Sequence, residues 1–433
     1  MEIKRDVYLD RLIVRKHNGL IKVITGIRRS GKSYLLNTLF YRYLIAENIS
    51  EDHIIKFAFD SAEDLLKIGE DPIVLDNEKE DRKVDPSKFI NWLMPQIKGD
   101  GMYYLLLDEV QKLGAFESVL NGFLRRENLD VYVTGSNSKF LSKDVLTEFR
   151  GRGDEVHVLP LSFSEYYTFK QGDKSEAYDD YSVYGGLPAV ALMVTEEQKT
   201  NYLISQMQNL YLRDIVNRYA VQDETALGEV IDVIASGIST LTNPRKIANT
   251  MNTIHGTKTC DATVDRYIGY AEEAFILTRV KRYNVKGRKY IGTPYKIYFE
   301  DVGLRNVRLS FRQIEGTHMM ENIIYNELRY RGYQVDVGTV ESREKDSSGK
   351  EIRVQREIDF IASLGSKKYY IQSAYAIPDQ EKYEQETKSF EHTMDSFKKI
   401  IIIEKSMKPR YDEHGYLMMG VKEFLLDANS LLI

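Results

Sequence analysis

Short apolar runs alternate with helix-like stretches along the first part of the chain. The apolar runs cover residues 20–24, 54–60, 103–107 and 131–134. The run at 103–107 contains no charged residue, which is typical of a strand buried on both faces of a parallel sheet. Between the runs, apolar residues recur at the three- and four-residue spacing of amphipathic helices. This alternation predicts an α/β fold built on a parallel sheet.

The segment that joins the first run to the following helix has the pattern of a phosphate-binding loop. Residues 26–33 fit G-x-x-x-x-G-K-[ST]. The glycines let successive N–H groups point at phosphate oxygens, and the helix N-terminus adds partial positive charge. Lys32 is expected to reach the β- and γ-phosphates of ATP, and Ser33 to bind Mg²⁺. The predicted nucleotide-binding residues are Gly26, Ile27, Arg28, Arg29, Ser30, Gly31, Lys32, Ser33 and Tyr34.

Polar residues follow two of the later apolar runs. Asp108 and Glu109 end one strand at the edge where parallel sheets place their ligands. We expect Asp108 to hold Mg²⁺ and Glu109 to orient and polarise the attacking water. Asn137, with Ser136 as the alternative, ends another strand and is the candidate that senses the γ-phosphate.

The loop, the acid pair and the polar residues after the later strand occur in the order found in AAA+ ATPases, which the chain resembles. Further stretches at 150–152, 159–166 and 184–188 are similar to prokaryotic AAA-family ATPases that carry a C-terminal domain of unknown function. Such proteins commonly act as rings or other oligomers, in which a neighbouring subunit can supply an arginine. The resemblance therefore implies a homo-oligomer in which Arg150 or Arg152 is the arginine finger.

The resemblance also implies four domains. Residues 1–165 are expected to form the P-loop AAA+ core, a three-layer arrangement around a parallel sheet, and residues 166–223 its helical lid. Residues 224–310 resemble a winged helix, with three helices followed by strands at 276–281 and 295–299. Residues 311–433 resemble a restriction-endonuclease-like α/β domain.

The predicted wing hairpin is rich in cations and tyrosines. Its candidate nucleic-acid contacts are Lys281, Arg282, Lys286, Arg288 and Lys289. Such a ribbon can follow a phosphate backbone, while tyrosines stack on unpaired bases. The alternative is a solvated hairpin whose tyrosines pack on the core.

The last domain has an incomplete nuclease pattern. Glu321 and Asp359 match two of the metal-binding carboxylates of the restriction-endonuclease-like fold. Gln372 stands where the second strand carboxylate is expected, and Ala374 replaces the lysine. Because two carboxylates hold a metal poorly, the sequence predicts that this degenerate site has lost cleavage.

Composition narrows the class of protein only slightly. The net charge of -5 excludes an overall basic nucleic-acid binder but allows a local basic patch. The single Cys260 rules out an internal disulfide and a cysteine zinc site, and fits a reducing cytoplasm. No apolar run reaches the roughly 18 residues of a membrane helix, and no signal peptide is evident.

Three functions are compatible with these features. The first is a Mg²⁺-dependent ATPase that remodels or moves along DNA as an oligomer. The second is a nucleotide-regulated signalling switch that binds a protein partner. The third is an ATP-dependent nuclease, which the incomplete pattern in the last domain disfavours.

Overall fold

The computed structural model describes residues 2–75, 82–135, 151–256, 258–345 and 350–433. The chain divides into two compact units. The first comprises Lys4–Leu159 together with Glu273–Phe275, and the second comprises Pro160–Glu272 and Ile276–Ile433 together with the first residues of the chain. The first unit therefore includes most of residues 1–165, the range predicted for the ATPase core.

A parallel sheet forms the centre of the first unit. Its described strands are β1 (Ile21–Thr25), β2 (Ile54–Ala58), β3 (Tyr103–Asp108), β4 (Leu129–Thr134) and β5 (Gly153–His157). They lie in the order β2-β3-β4-β1-β5, and every neighbouring pair is parallel. All residues of β1, β3 and β4 are buried, which confirms the α/β fold predicted from the uninterrupted apolar runs.

Helices connect and cover these strands. The helix after the loop is continuous through Lys32–Tyr34, a π-helical turn at Leu35–Phe40 and Tyr41–Ala46. The other described α-helices of this unit are Asp6–Ile13, Ala62–Lys67, Pro72–Leu75, Pro86–Leu93 and Phe116–Phe123, with 3₁₀ turns at Glu51–His53, Met94–Gln96 and Val110–Lys112. On one face of the sheet, Phe57, Phe59, Phe89 and Trp92 pack ring against ring.

The second unit begins with helices. The expected lid helix is a continuous run through Glu196–Ser205, Gln206–Leu212 and Arg213–Tyr219. The remaining described helices are Phe163–Lys170, Lys174–Tyr184, Pro188–Leu192, Glu224–Ser236, Pro244–His255, Asp261–Glu273, Val302–Arg308, Gly316–Tyr330, Gln380–Thr387 and Val421–Leu426, with a 3₁₀ turn at Phe390–His392.

A mixed sheet closes the second unit. Its described strands are β6 (Leu277–Asn284), β7 (Lys289–Phe299), β8 (Gln334–Lys345), β9 (Glu351–Leu364), β10 (Lys367–Ala374), β11 (Lys398–Ile403), β12 (Arg410–Tyr411) and β13 (Leu417–Gly420). Their order is β12-β13-β11-β10-β9-β8-β6-β7. The β6–β7 hairpin thus forms one edge of this sheet, because β6 pairs in parallel with β8.

The hairpin strands are longer than the sequence pattern indicated. The predicted strands ended at residue 281 and resumed at 295, whereas Asn284 pairs with Lys289 across a short turn. The boundary prediction was wrong because the segment 282–294 is rich in polar residues and glycine. Pairing with β8 compensates for that weak local preference for a strand.

A buried carboxylate of the second unit joins the stretch at 184–188 to the start of the helix Val302–Arg308. Asp301 accepts hydrogen bonds from the backbone N–H of Gly186, at 2.7 Å, and of Leu304, at 3.1 Å. Burial raises the pKa of Asp301 to about 6. A Cβ atom on Gly185 would lie 2.1 Å from Asp301 Oδ1, so the stretch at 184–188 needs glycine to accommodate this contact.

Candidate nucleotide-binding site

The phosphate-binding loop follows β1 at the carboxyl edge of the first sheet. Gly26 has a φ of 132°, and a Cβ atom there would lie 2.1 Å from the carbonyl oxygen of Val158. Gly31, with a φ of 95°, precedes the helix, and Arg29 is also left-handed. The Ser30 hydroxyl is buried and has no hydrogen-bond partner among the described residues. A loop with this backbone and an orphaned polar group fits a bound polyphosphate.

The Lys32 side chain contacts the backbone of the phosphate-binding loop. Its ammonium donates to the carbonyl oxygens of Gly26 and Ile27, at 2.9 Å each. The side chain is buried, so the charge is held inside the loop rather than in solvent. This is the position from which the ammonium can turn to phosphate oxygens.

Arg5 supports the loop from the chain segment before it. Its buried guanidinium donates to the carbonyl oxygen of Ser30 at 3.2 Å and to that of Leu159 at 2.6 Å. Tyr8 accepts a hydrogen bond from the backbone N–H of Leu159 at 3.0 Å. The sequence analysis missed Arg5 because no local motif surrounds it. Its position just before an amphipathic helix was the only signal.

Asp108 lies at the end of β3 and is surrounded by neutral donors. Its carboxylate accepts hydrogen bonds from the Thr134 hydroxyl and, at 3.2 Å, from the Asn37 amide. Burial raises the pKa of Asp108, although hydrogen bonds from Thr134 and Ser33 act in the opposite direction. The structure thus brings Ser33 and Asp108, the two predicted Mg²⁺ ligands, into contact.

Glu109 stands beside this pair with a left-handed backbone, at a φ of 52°. Its N–H donates to Thr134 Oγ1 at 3.1 Å, and its carboxylate accepts a hydrogen bond from the Gln111 amide. Asp60, which follows β2, is a third acidic residue near Asp108 and Glu109. Burial and the charge of Glu109 raise the pKa of Asp60. The signal for Asp60 was the same as for Asp108, an acid directly after a strand.

The remaining predicted catalytic residues fall into two groups. Ser136, Asn137 and Arg150 lie outside the described residues. Arg152 is exposed and precedes β5, where its carbonyl accepts from the N–H of Ile21. This is the amino edge of the sheet, roughly 16 Å along five strand residues from the loop. Arg152 therefore lies away from the nucleotide site of its own chain.

The predicted nucleic-acid contacts do not all reach the surface. Lys281, Lys286, Arg288 and Lys289 are exposed, whereas Arg282 is 8% exposed. The Arg282 guanidinium donates to the carbonyl oxygens of Pro294 and Thr293 and to the Gln355 side chain. The prediction that Arg282 contacts nucleic acid was therefore wrong, because its N–H donors are directed into the protein.

The predicted degenerate nuclease site contains two groups, Lys296 and Glu357, that the sequence analysis did not assign to it. Glu321 and Asp359 lie together, but the buried Lys296 pairs with both of them and with Glu357. The Gln372 amide instead donates to Glu386, at 3.1 Å. Glu357 could have been found from the spacing Glu357-x-Asp359, since alternate strand residues share a face.

Among the described residues, no group of three or more histidine, cysteine or acidic side chains could hold a metal ion. The helices found in those same ranges are too short or too polar to cross a membrane.

The strand order, the loop and the acid pair together define a P-loop domain of the AAA+ class. The family model described as an AAA domain matches residues 18–167, and that of a domain of unknown function, DUF8612, matches residues 175–315. The chain belongs to the family of AAA-domain proteins that join these two parts.

Two relatives show that the similarity extends over nearly the whole chain. An uncharacterised protein of Haemophilus influenzae is 34% identical over 410 residues, which cover 93% of this chain and 94% of the relative. The uncharacterised protein MJ1544 of Methanocaldococcus jannaschii is 26% identical over 98% of this chain and 89% of its own length.

Three solved structures illustrate the weak similarity of the chain to proteins of known structure. Orc1 of Aeropyrum pernix, solved with DNA, is 11% identical with a TM-score of 0.27, covering 72% of this chain and 93% of its own. Cdc6p of Pyrobaculum aerophilum has a TM-score of 0.29 at 11% identity, covering 75% and 96%. The Saccharomyces cerevisiae Hsp104–ADP complex has a TM-score of 0.31 at 12% identity, covering 76% and 42%. The fold assignment rests on the strand order and the family match.

Proposed function

We propose that the chain is a Mg²⁺-dependent ATPase that couples ATP turnover to nucleic acid as a homo-oligomer. The contact of Ser33 with Asp108, directly beside a loop whose backbone fits a polyphosphate, is the observation that carries the ATPase part. Mg²⁺, when bound with ATP, supplies positive charge that neutralises the phosphates.

Each side chain has a distinct task in this proposal. The Lys32 ammonium exchanges the carbonyl oxygens of Gly26 and Ile27 for phosphate oxygens, so binding requires no new desolvation of the lysine. Ser33 and Asp108 would hold the cation. Glu109 orients a water molecule and accepts its proton, after its carboxylate leaves the Gln111 amide.

The position of Arg152 supports assembly. Because it lies at the amino edge of its own sheet, it can stabilise the transition state only on a nucleotide held by another copy. A mixing experiment tests this. Arg152→Ala subunits supply an intact site and Lys32→Ala subunits supply the arginine, so mixing two inactive preparations is expected to restore part of the turnover. No recovery at any ratio would contradict the role of Arg152.

The exposed cations of the hairpin support the nucleic-acid part. Lys281, Lys286, Arg288 and Lys289 cluster within nine residues, and Tyr290 is 60% exposed beside them. Each cation that neutralises a phosphate releases a counterion, so binding should weaken steeply with salt.

The deciding experiment measures ATP turnover with single-stranded, duplex and branched DNA. The proposal expects stimulation that falls as salt rises and that is reduced by Lys286→Glu/Arg288→Glu/Lys289→Glu. A matched control is Lys174→Glu/Lys405→Glu/Lys408→Glu, which makes the same charge change at exposed lysines outside the hairpin. If ATP turnover is the same with and without each of the three DNA forms, but increases when a protein fraction is added, the signalling switch is favoured instead.

A further inference from the structure

The carboxylates of the predicted degenerate nuclease site surround a lysine. The Lys296 nitrogen lies 2.8 Å from Glu321 Oε1, 2.7 Å from Glu357 Oε1 and 3.3 Å from Asp359 Oδ1. The lysine is 3% exposed. An ammonium has three N–H donors and no acceptor, so three carboxylate oxygens use its full donor capacity.

The restriction-endonuclease-like resemblance implies a divalent metal here, and the residues present do not fit one. A divalent cation needs several oxygen ligands at about 2.0–2.6 Å around one centre. That centre lies among the oxygens that now face Lys296. Tyr298 donates a further hydrogen bond to Glu321 Oε1 at 2.6 Å, and the Ser373 N–H donates to Asp359 Oδ2 at 2.9 Å.

The cluster also joins separate elements of the second unit. Lys296 comes from β7, Glu321 from the helix Gly316–Tyr330, and Glu357 and Asp359 from β9. The strands β7 and β9 are not adjacent in the sheet, because β6 and β8 lie between them. The lysine therefore connects the hairpin, through the cluster, to both the helix and the distant strand.

We propose that Lys296 is a built-in cation that takes the place of a divalent metal among Glu321, Glu357 and Asp359. The ammonium compensates part of the buried negative charge and fastens the hairpin to the rest of the sheet. The domain consequently binds no metal at these carboxylates and does not cleave nucleic acid. This inference is independent of the proposed ATPase activity.

The test replaces the lysine and asks whether a metal takes its place. In nucleotide-free full-length protein, Lys296→Met leaves the buried Glu321 and Asp359 and the partly exposed Glu357 without their cation. We expect the melting temperature to fall by about 10 °C, as for breaking a buried ion pair. Added Mn²⁺ should restore part of that loss and bind with a stoichiometry of one, measured by calorimetry and electron paramagnetic resonance.

Controls separate this effect from general metal binding. Wild type and Lys367→Met, which removes an exposed lysine from β10, should neither gain a Mn²⁺ site nor be stabilised by Mn²⁺. Where Lys296→Met does not fold alone, Lys296→Met/Glu321→Gln removes one charge of each sign and should melt within a few degrees of wild type.

Three results would overturn the proposal. The first is Mn²⁺ binding by wild-type protein that Asp359→Asn abolishes. The second is Mg²⁺-dependent DNA cleavage by wild type that the same substitution removes. The third is failure of Lys296→Met/Glu321→Gln to recover stability, because charge compensation would then not be what Lys296 provides.

Discussion

Two buried acidic sites, one in each unit, differ in what faces their carboxylates. Within the described residues, Asp108 receives hydrogen bonds from neutral hydroxyl and amide groups, and its charged neighbours are Glu109 and Asp60. Glu321, Glu357 and Asp359 instead face the ammonium of Lys296. Neutral donors orient a carboxylate but leave its charge available to a cation, whereas a lysine compensates it internally. The first site is prepared for a ligand and the second is closed to one.

The difference shows how the same residue type can serve binding in one place and structure in another. Burial raises the pKa of both Asp108 and Glu321, so each ionised carboxylate costs folding free energy. At Asp108 that cost is recovered only when a cation binds. At Glu321 the lysine offsets much of it in the folded protein itself. Experiments that change one charge at a time can therefore tell the two sites apart.

The largest expected effect is on turnover. Glu109→Gln keeps the shape of the side chain but cannot accept a proton, so ATP hydrolysis should fall by about 10²–10⁴-fold. ATP binding should remain, and the variant should trap the nucleotide in a filter-binding assay. Turnover at the wild-type rate would remove Glu109 from the chemistry. Glu321→Gln is the matched control and should leave turnover unchanged.

The next effect is on nucleotide affinity. Lys32→Ala removes the ammonium that the loop holds between the Gly26 and Ile27 carbonyls, and ATP affinity should fall at least ~100-fold, or about 3 kcal/mol. Calorimetry with a non-hydrolysable analogue measures the change. Retained affinity would place the nucleotide elsewhere. Lys296→Met should bind the analogue as tightly as wild type, provided that it is folded.

A smaller effect is the pH dependence of folding stability that arises from Glu321, beside Lys296. Burial, together with the charge of Asp359, raises the pKa of Glu321 to about 7, against the opposing effects of Lys296 and Tyr298. Between the unfolded value of about 4.5 and pH 7, the folded chain holds a proton that the unfolded chain has lost, so stability falls as pH rises through this window.

Glu321→Gln isolates that contribution. The variant should lack this part of the pH dependence and gain about 1–2 kcal/mol relative to wild type between pH 5 and pH 7.5, measured by urea unfolding. Parallel pH profiles for the two proteins would show that Glu321 is ionised throughout the range. The comparison is needed because Asp301, with a pKa of about 6, contributes a slope of the same sign in both proteins.

The smallest effect is a gain in stability at the open site. Asp108→Asn keeps the hydrogen bond from Thr134 but removes a buried charge, so nucleotide-free protein should become more stable by roughly 0.5–2 kcal/mol. Mg²⁺-dependent turnover should be lost at the same time. A loss of stability would contradict the conclusion that the ionised Asp108 carboxylate costs folding free energy in the nucleotide-free protein.

The two sites also differ in how much of them the sequence alone predicts. The phosphate-binding loop and the acid pair can be predicted because each lies in a short contiguous segment. The neighbouring strands and helices have clear patterns of apolar residues. Arg5 was missed, since its contact with Leu159 spans 154 positions. The pairing of Lys296 with Glu321 and Asp359 was missed because these partners are 25 and 63 residues away. The local pattern of charged residues does not predict such ion pairs, because they depend on the register of β7 and β9.

The hairpin illustrates the same limit for the fold. Its existence was predicted, whereas its length and its pairing with β8 were not, because residues such as Arg282 and Asn284 are polar yet buried in the finished sheet. Their side chains reach acceptors that only the folded unit provides, as Arg282 does with Pro294.

The most direct test counts the divalent ions that the wild-type chain binds. With a non-hydrolysable ATP analogue and Mn²⁺, the account predicts one tightly bound ion per chain, which Lys32→Ala abolishes and Asp359→Asn leaves in place. A second bound ion that Asp359→Asn removes, or a single ion that persists in Lys32→Ala, would contradict the assignment of an open site at Asp108 and a closed one at Lys296.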